Sequence, residues 1–389
     1  MTDLILASNG KKLERYNLVS AGYGSYSPSS GFNRTVYAAA HIVVDPLQQN
    51  APWSASPAID WDATLAYRQH LWGMGFKIAE AMDTSQRGMG VDWPTSLELI
   101  KRTLGMAKNI PGADLACGAG TDQLQDLHHL SLDTVRAAYI EQIEAIENAG
   151  GRVILMASRA MARCAKNADD YIALYTELIQ GCRYPVILHW LGDMFDPNLA
   201  GYWGSVDVWE NMDTVVSIIN ENAAKVDGIK ISLLQTQYEF ALRKRLPDTV
   251  KMFTGDDFNY PELIEGDGEH FSHGLLGIFD PIAPVAARAL EQLACGNSDQ
   301  YRALMEPTIA LSRKIFEAPT QYYKAGVVFM AWLNGHQSHF SMAGGMQSAR
   351  SVNHYCEVFR LADAAGVLKD PDLAARRMKQ LLQLQGVEQ

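Results

Sequence analysis

Two residues carry the chemistry that this chain advertises. Lys230 stands in Val226-Asp227-Gly228-Ile229-Lys230-Ile231-Ser232, a short apolar run that reads as a buried strand. Burial disfavours the ammonium form, and an amine freed of its proton attacks a carbonyl to form an imine. The competing explanation is a lysine at a strand end paired with a carboxylate. His189 closes a second such run, Pro185-Val186-Ile187-Leu188-His189-Trp190, one strand earlier. Adjacent strands lie about 4.8 Å apart, so an imidazole and an amine there can serve one bound molecule. A core histidine held by a carbonyl is the plainer alternative.

Those two strands belong to a regular alternation of short β-branched runs and stretches of helical periodicity. Strands are predicted at Arg34–Val44, Gly75–Asp83, Ala113–Cys117, Arg152–Ala157, Tyr184–Leu191, Val226–Leu233, Val250–Gly255 and Glu269–Phe279. Helices are predicted near Asp62–Gly73, Thr95–Lys108, Leu132–Ala149, Asp169–Gln180, Val206–Asn222, Thr236–Arg245, Tyr260–Glu265 and Ile282–Ala294. Asp92-Trp93-Pro94 and Ser131-Leu132-Asp133 carry helix-start chemistry, and Ala149-Gly150-Gly151 carries a glycine stop. Eight repeats without a nucleotide-type glycine fingerprint predict a closed (β/α)8 barrel rather than an open doubly wound sheet. The expected organisation is a lead-in segment over 1–33, a barrel over 34–297, and a helical extension over 298–389 packed on the barrel. The extension is predicted as Ser298–Ala318, Gln321–Leu333, Ala349–Ala365 and Pro371–Leu384.

Composition narrows the function classes. The 389 residues are 48% hydrophobic and 20% charged, the profile of a globular chain with a large core. A net charge of −11 argues against a nucleic-acid or anionic-membrane surface. The five cysteines are scattered with no CxxC pair, which fits reduced thiols and no zinc knuckle. No signal sequence or membrane span is expected, and a cytoplasmic location follows. The glycine- and serine-rich loop Gly22–Gly31 lacks a phosphate-cradle setting.

Active residues of such barrels lie where strands end. The polar residues predicted there are His41, Asp45, Glu80, Asp83, Thr84, Ser85, Asp114, Ser158, Arg159, His189, Lys230, Thr254, Asp256, Asp257, Ser272 and His273. Asp256-Asp257 also reads as a turn and helix cap. Gly118-Ala119-Gly120-Thr121 offers amides to an anion, on weak evidence. His336 and His339 sit at helical spacing, but no third metal ligand accompanies them, so packing is the better explanation.

Tyr184-Pro185-Val186-Ile187-Leu188-His189-Trp190-Leu191-Gly192 followed by Val226-Asp227-Gly228-Ile229-Lys230 resembles the dihydrodipicolinate synthase / N-acetylneuraminate lyase family. Phe253-Thr254-Gly255-Asp256-Asp257 is similar to that family's strand-seven motif, and Ala58-Ile59-Asp60-Trp61-Asp62 to its first helix start. The resemblance spans roughly residues 34 to 320. It implies a TIM barrel and a class I aldolase or lyase, with Lys230 forming a Schiff base to a 2-oxo acid or sugar-derived 2-oxo acid. It also implies a homodimer or homotetramer and no cofactor. The family's carboxylate-binding hydroxyl loop falls on Thr84 and Ser85. His189 stands where the family has a proton-shuttling tyrosine. Glu80, Asp83, Asp114 and Asp256 complete the expected substrate contacts. Two rivals remain: a divalent-metal isomerase or hydrolase using His41, Glu80, Asp83, Asp114 and His189, and a non-catalytic sugar-acid sensor.

Overall fold

A computed structural model describes residues 3–8, 12–52, 56–124 and 130–389. The chain opens with an antiparallel hairpin, β1 (Asp3–Ser8) and β2 (Lys12–Asn17), where the sequence suggests only a lead-in. β3 (Val36–Ala39), α1 (Trp61–Gly73), β4 (Lys77–Glu80), α2 (Trp93–Ala107), β5 (Leu115–Ala119) and α3 (Leu132–Asn148) begin the repeats. β6 (Arg152–Leu155), α4 (Arg159–Cys164), α5 (Ala168–Gly181), β7 (Val186–Leu191), α6 (Val208–Glu221) and β8 (Val226–Ser232) continue them. α7 (Thr236–Arg243), β9 (Lys251–Thr254), α8 (Tyr260–Glu265), β10 (His273–Leu276) and α9 (Ala283–Ala294) close the ring. β3 to β10 form a closed parallel barrel in sequence order, with β10 against β3. This is the expected (β/α)8 fold, with shorter strands than predicted at both ends of the series.

Helix starts follow the sequence chemistry. Asp60, Asp92 and Ser131 each accept an amide of the first turn through the side chain, capping α1, α2 and α3. α10 (Ser298–Ile315), α11 (Tyr323–Leu333), α12 (Val352–Ala364) and α13 (Pro371–Leu384) make the C-terminal helical region. β1 packs on α12 and α13, and α10 packs on α9. Among the described residues, no helix is long and apolar enough to cross a membrane.

Alternation along the strands decides which side chains enter the barrel. Tyr37, Ala39, Ala79, Ala116, Ile154, Ile187, Phe253 and Leu275 fill its interior. Tyr37 and Phe253 meet edge to face with centroids 5.7 Å apart. Small residues on β3, β4 and β5 leave room toward the C-terminal mouth. Lys230 and His189 use that room.

Candidate active site

His189 lies two residues beyond inward-facing Ile187, and Lys230 is its register partner on β8. Both side chains therefore point into the barrel, on neighbouring strands. Gly255 makes space for the lysine: a Cβ there would lie 2.6 Å from Lys230 Cε and would collide with Ser232 Oγ. Lys230 is 8% exposed. Among the described residues its amine makes no hydrogen bond or ion pair. Burial lowers its pKa, against the opposing pull of Asp257 and Asp83.

The lysine opens into an inner chamber of about 10 Å³. Its polar lining is Asp83, Thr84, Lys230, Ser232, Asp257 and Tyr323. The turn Asp83–Ser85 after β4 is bracketed by Ala81 and Gln86, both at positive φ (54° and 62°), and this strained path turns Thr84 inward. Thr84 Oγ1 and the Tyr323 hydroxyl are 2.8 Å apart. Tyr323 stacks on Phe316 and is buried, which raises its phenol well above the ordinary value of 10.0. Asp257 is buried, its carboxyl held by the Ile278 amide at 2.9 Å. Burial pushes it up to about 7, opposed by that amide and by Lys230.

An outer pocket of about 330 Å³ adjoins this chamber, sharing Asp83 and Leu191 with it. His189, Thr121, Arg159 and Asp196 line it, with Arg159 Nε 2.5 Å from Asp196. His189 is 1% exposed. Burial first and Lys230 second lower its pKa well below 6.5, so the ring is neutral. Lys324 on α11 is also buried, its amine donating to the Gln321 carbonyl at 3.0 Å. Burial lowers its pKa, and Asp83 and Asp196 oppose that.

Several expected contacts lie elsewhere. Glu80 follows inward-facing Ala79 and therefore points out of the barrel. There it meets Arg68 at 2.9 and 3.0 Å and Thr103 at 2.7 Å. Asp114 precedes β5 and sits at the N-terminal mouth with Lys77 and Arg152, each at 2.7 Å. Asp256 caps the approach to α8, accepting from the amides of Phe258 and Asn259. Ser85 lends its hydroxyl to the Met82 carbonyl at 2.7 Å, leaving Thr84 alone in the chamber. His273 starts rather than ends its strand, and its Nδ1 accepts from Thr35 N–H.

The remaining candidates are likewise committed to structure. The Gly120 amide is taken by Gln142, so the glycine turn offers no open anion cradle there. His41 pairs with Asp280 at 2.7 Å. His336 packs on His70 with centroids 4.5 Å apart, and His339 accepts the Ser341 amide. The proposed metal donors are thus scattered between helix layer, both barrel mouths and the pocket. Among the described residues no group of three or more His, Cys, Asp or Glu is placed to hold a metal ion.

Asp257 stands among the strand-end candidates but not among the expected substrate contacts, and Tyr323 is in neither set, yet both line the chamber. Asp257 carries a local signal, since it directly follows the Thr254-Gly255-Asp256 turn. Tyr323 carries none, because 239 residues separate it from Thr84.

Solved structures share this architecture. Dihydrodipicolinate synthase from Aquifex aeolicus superposes with a TM-score of 0.61 at 10% identity, over 91% of this chain and 98% of that one. The enzyme from Oceanobacillus iheyensis gives 0.60 at 15% identity, over 85% and 95%. The 4-hydroxy-tetrahydrodipicolinate synthase from Methylacidiphilum fumariolicum SolV gives 0.61 at 14%, over 90% and 99%. At these identities the likeness establishes the fold. No curated protein matches the chain. A family model described as "Protein of unknown function (DUF993)" matches residues 4–387, and the chain belongs to that family.

Proposed function

We propose that the protein is a Schiff-base lyase or aldolase acting on a 2-oxo acid or sugar-derived 2-oxo acid, with Lys230 forming the imine. The observation that carries this reading is a buried amine, without a hydrogen bond among the described residues, in a chamber with a hydroxyl pair and two carboxyl groups. An amine whose pKa is depressed by burial is a competent nucleophile near neutrality. Thr84 and Tyr323 supply hydroxyls for the oxo acid's carboxylate. The protonated imine then accepts the electron pair of the bond being broken.

The part of the substrate beyond the reacting carbon occupies the outer pocket. His189, neutral and facing that pocket, takes the hydroxyl proton as a carbonyl product forms. The inner chamber as it stands has room for about one water. Binding an oxo acid therefore requires the chamber to widen, and Phe195 lines it, with its ring edge-on to Phe316 and Tyr323 at 6.4 and 6.2 Å. The dihydrodipicolinate synthase fold is consistent with this reading and does not select a substrate.

Borohydride reduction in the presence of pyruvate, 2-oxobutyrate or 2-oxoglutarate tests it. The expected result is a stable mass increment on Lys230 that Lys230→Ala lacks. Reduction with no increment at Lys230 for any of the three acids overturns the reading.

A further inference from the structure

We propose that Asp257 is the group that moves the proton at the carbon next to the imine, a role that the sequence reading leaves with His189. This rests on the Schiff-base reading above. Asp257 and Asp83 are the carboxylates lining the lysine's chamber, and Asp83 also borders the outer pocket. Asp257 is 4% exposed and is fixed from behind: the Ile278 amide holds its carboxyl, and the Ser312 hydroxyl holds its main-chain carbonyl. No side chain among the described residues hydrogen-bonds its carboxyl oxygens. A carboxylate has about four acceptor positions, so capacity remains on the chamber side.

The alternatives are less well placed. His189 lines the outer pocket and not the chamber, with its Nε2 3.5 Å from Ser232 Oγ. Tyr323 pairs with Thr84 at the place assigned to the substrate carboxylate, and its phenol is raised well above 10.0, so it holds its proton throughout the neutral range. Burial pushes the Asp257 carboxyl up to about 7, which suits a group that must both give and take a proton. The charged and titratable groups around it are Lys230 on β8, Asp256 on its own loop, Tyr260 on α8 and Tyr323 on α11. Asp83 acts on the same lysine from the turn after β4.

The step balances without a co-reactant. In the protonated imine of pyruvate, the C3–H bond breaks and its proton passes to the Asp257 carboxylate. The C–H electron pair becomes the C2=C3 bond, and the C2=N pair moves to nitrogen, giving the neutral enamine. After bond cleavage the same carboxyl returns a proton to C3.

Proton NMR of pyruvate and 2-oxobutyrate in D₂O with the full-length protein, from pH 5 to 9, reads this step through exchange at C3. Borohydride trapping is run in parallel. We expect native protein to exchange these protons with an inflection near neutrality. We expect Asp257→Asn to keep the Lys230 adduct while exchange falls about 100-fold. Asp257→Glu, which keeps the carboxyl, is expected to retain exchange with a shifted inflection, and decides the matter if the asparagine variant does not fold. Exchange in Asp257→Asn within about twofold of native, or a native rate that is flat from pH 5 to 9, overturns the assignment. So does a loss seen in His189→Gln and not in Asp257→Asn. Native protein that forms no adduct overturns the Schiff-base reading itself, whereas an adduct with unaffected exchange overturns only the role of Asp257.

Discussion

Replacing Arg68 by methionine separates the two roles that Glu80 can have. Both side chains are 0% exposed and meet through two N–H···O contacts. Arg68→Met leaves a buried carboxylate with the Thr103 hydroxyl at 2.7 Å and the Ala81 amide at 3.0 Å. Breaking one side of a buried pair costs about 3–5 kcal/mol. At about 2.1 cal/mol/K per residue, the unfolding entropy of 389 residues is about 0.8 kcal/mol/K. The midpoint should therefore fall by about 4–6 °C. Glu80→Met should cost a similar amount, and the double variant should recover at least half, because no charge then remains buried alone. Thermal denaturation followed by circular dichroism measures all three. Lys230 adduct yield, measured well below the transition, should stay at the native level, since the pair lies outside the barrel wall. A Glu80→Met protein with a native midpoint and no adduct would return Glu80 to the active site and refute the reasoning.

Lys230→Met should abolish the adduct yet raise stability by about 0.5–2 kcal/mol at pH 7. The folded pKa of Lys230 is lowered, so the native lysine costs stability below its unfolded value of about 10.4. The gain should fade above about pH 10, which melts at pH 7 and pH 10.5 can check. Gly255→Ala places a Cβ 2.6 Å from Lys230 Cε, and the displaced amine should form the adduct about 100-fold more slowly. An unchanged trapping rate would contradict the placement of the lysine. Burial lowers His336 to about 3, and His273 and His354 to about 4. Stability from these neutral imidazoles is complete above about pH 6.5 and is lost as pH falls toward those values. Melting at pH 7.5 and 4.5 should show a marked drop, reduced in His336→Phe.

Strand and helix periodicity, cap residues and the apolar setting of Lys230 are local properties, and the sequence by itself determined them. So were the order of the barrel strands and the pairing of His189 with Lys230 on adjacent ones. What a strand-end residue faces was not local. Glu80 and Ala79 differ by one position, yet alternation sends one to the helices and the other into the barrel. Asp114 and His273 were read at the wrong ends of their strands because short strands have weakly marked limits. Asp256 and Asp257 are neighbours of one residue type. Only the approach of Lys230 from β8 and of Ile278 from the segment after β10 makes the second the chamber carboxyl. Tyr323 reaches Thr84 across 239 residues, through the packing of the C-terminal helices on the barrel. Closure of the sheet and docking of those helices bring together groups that no spacing in the chain relates, and that is where the candidate site was decided.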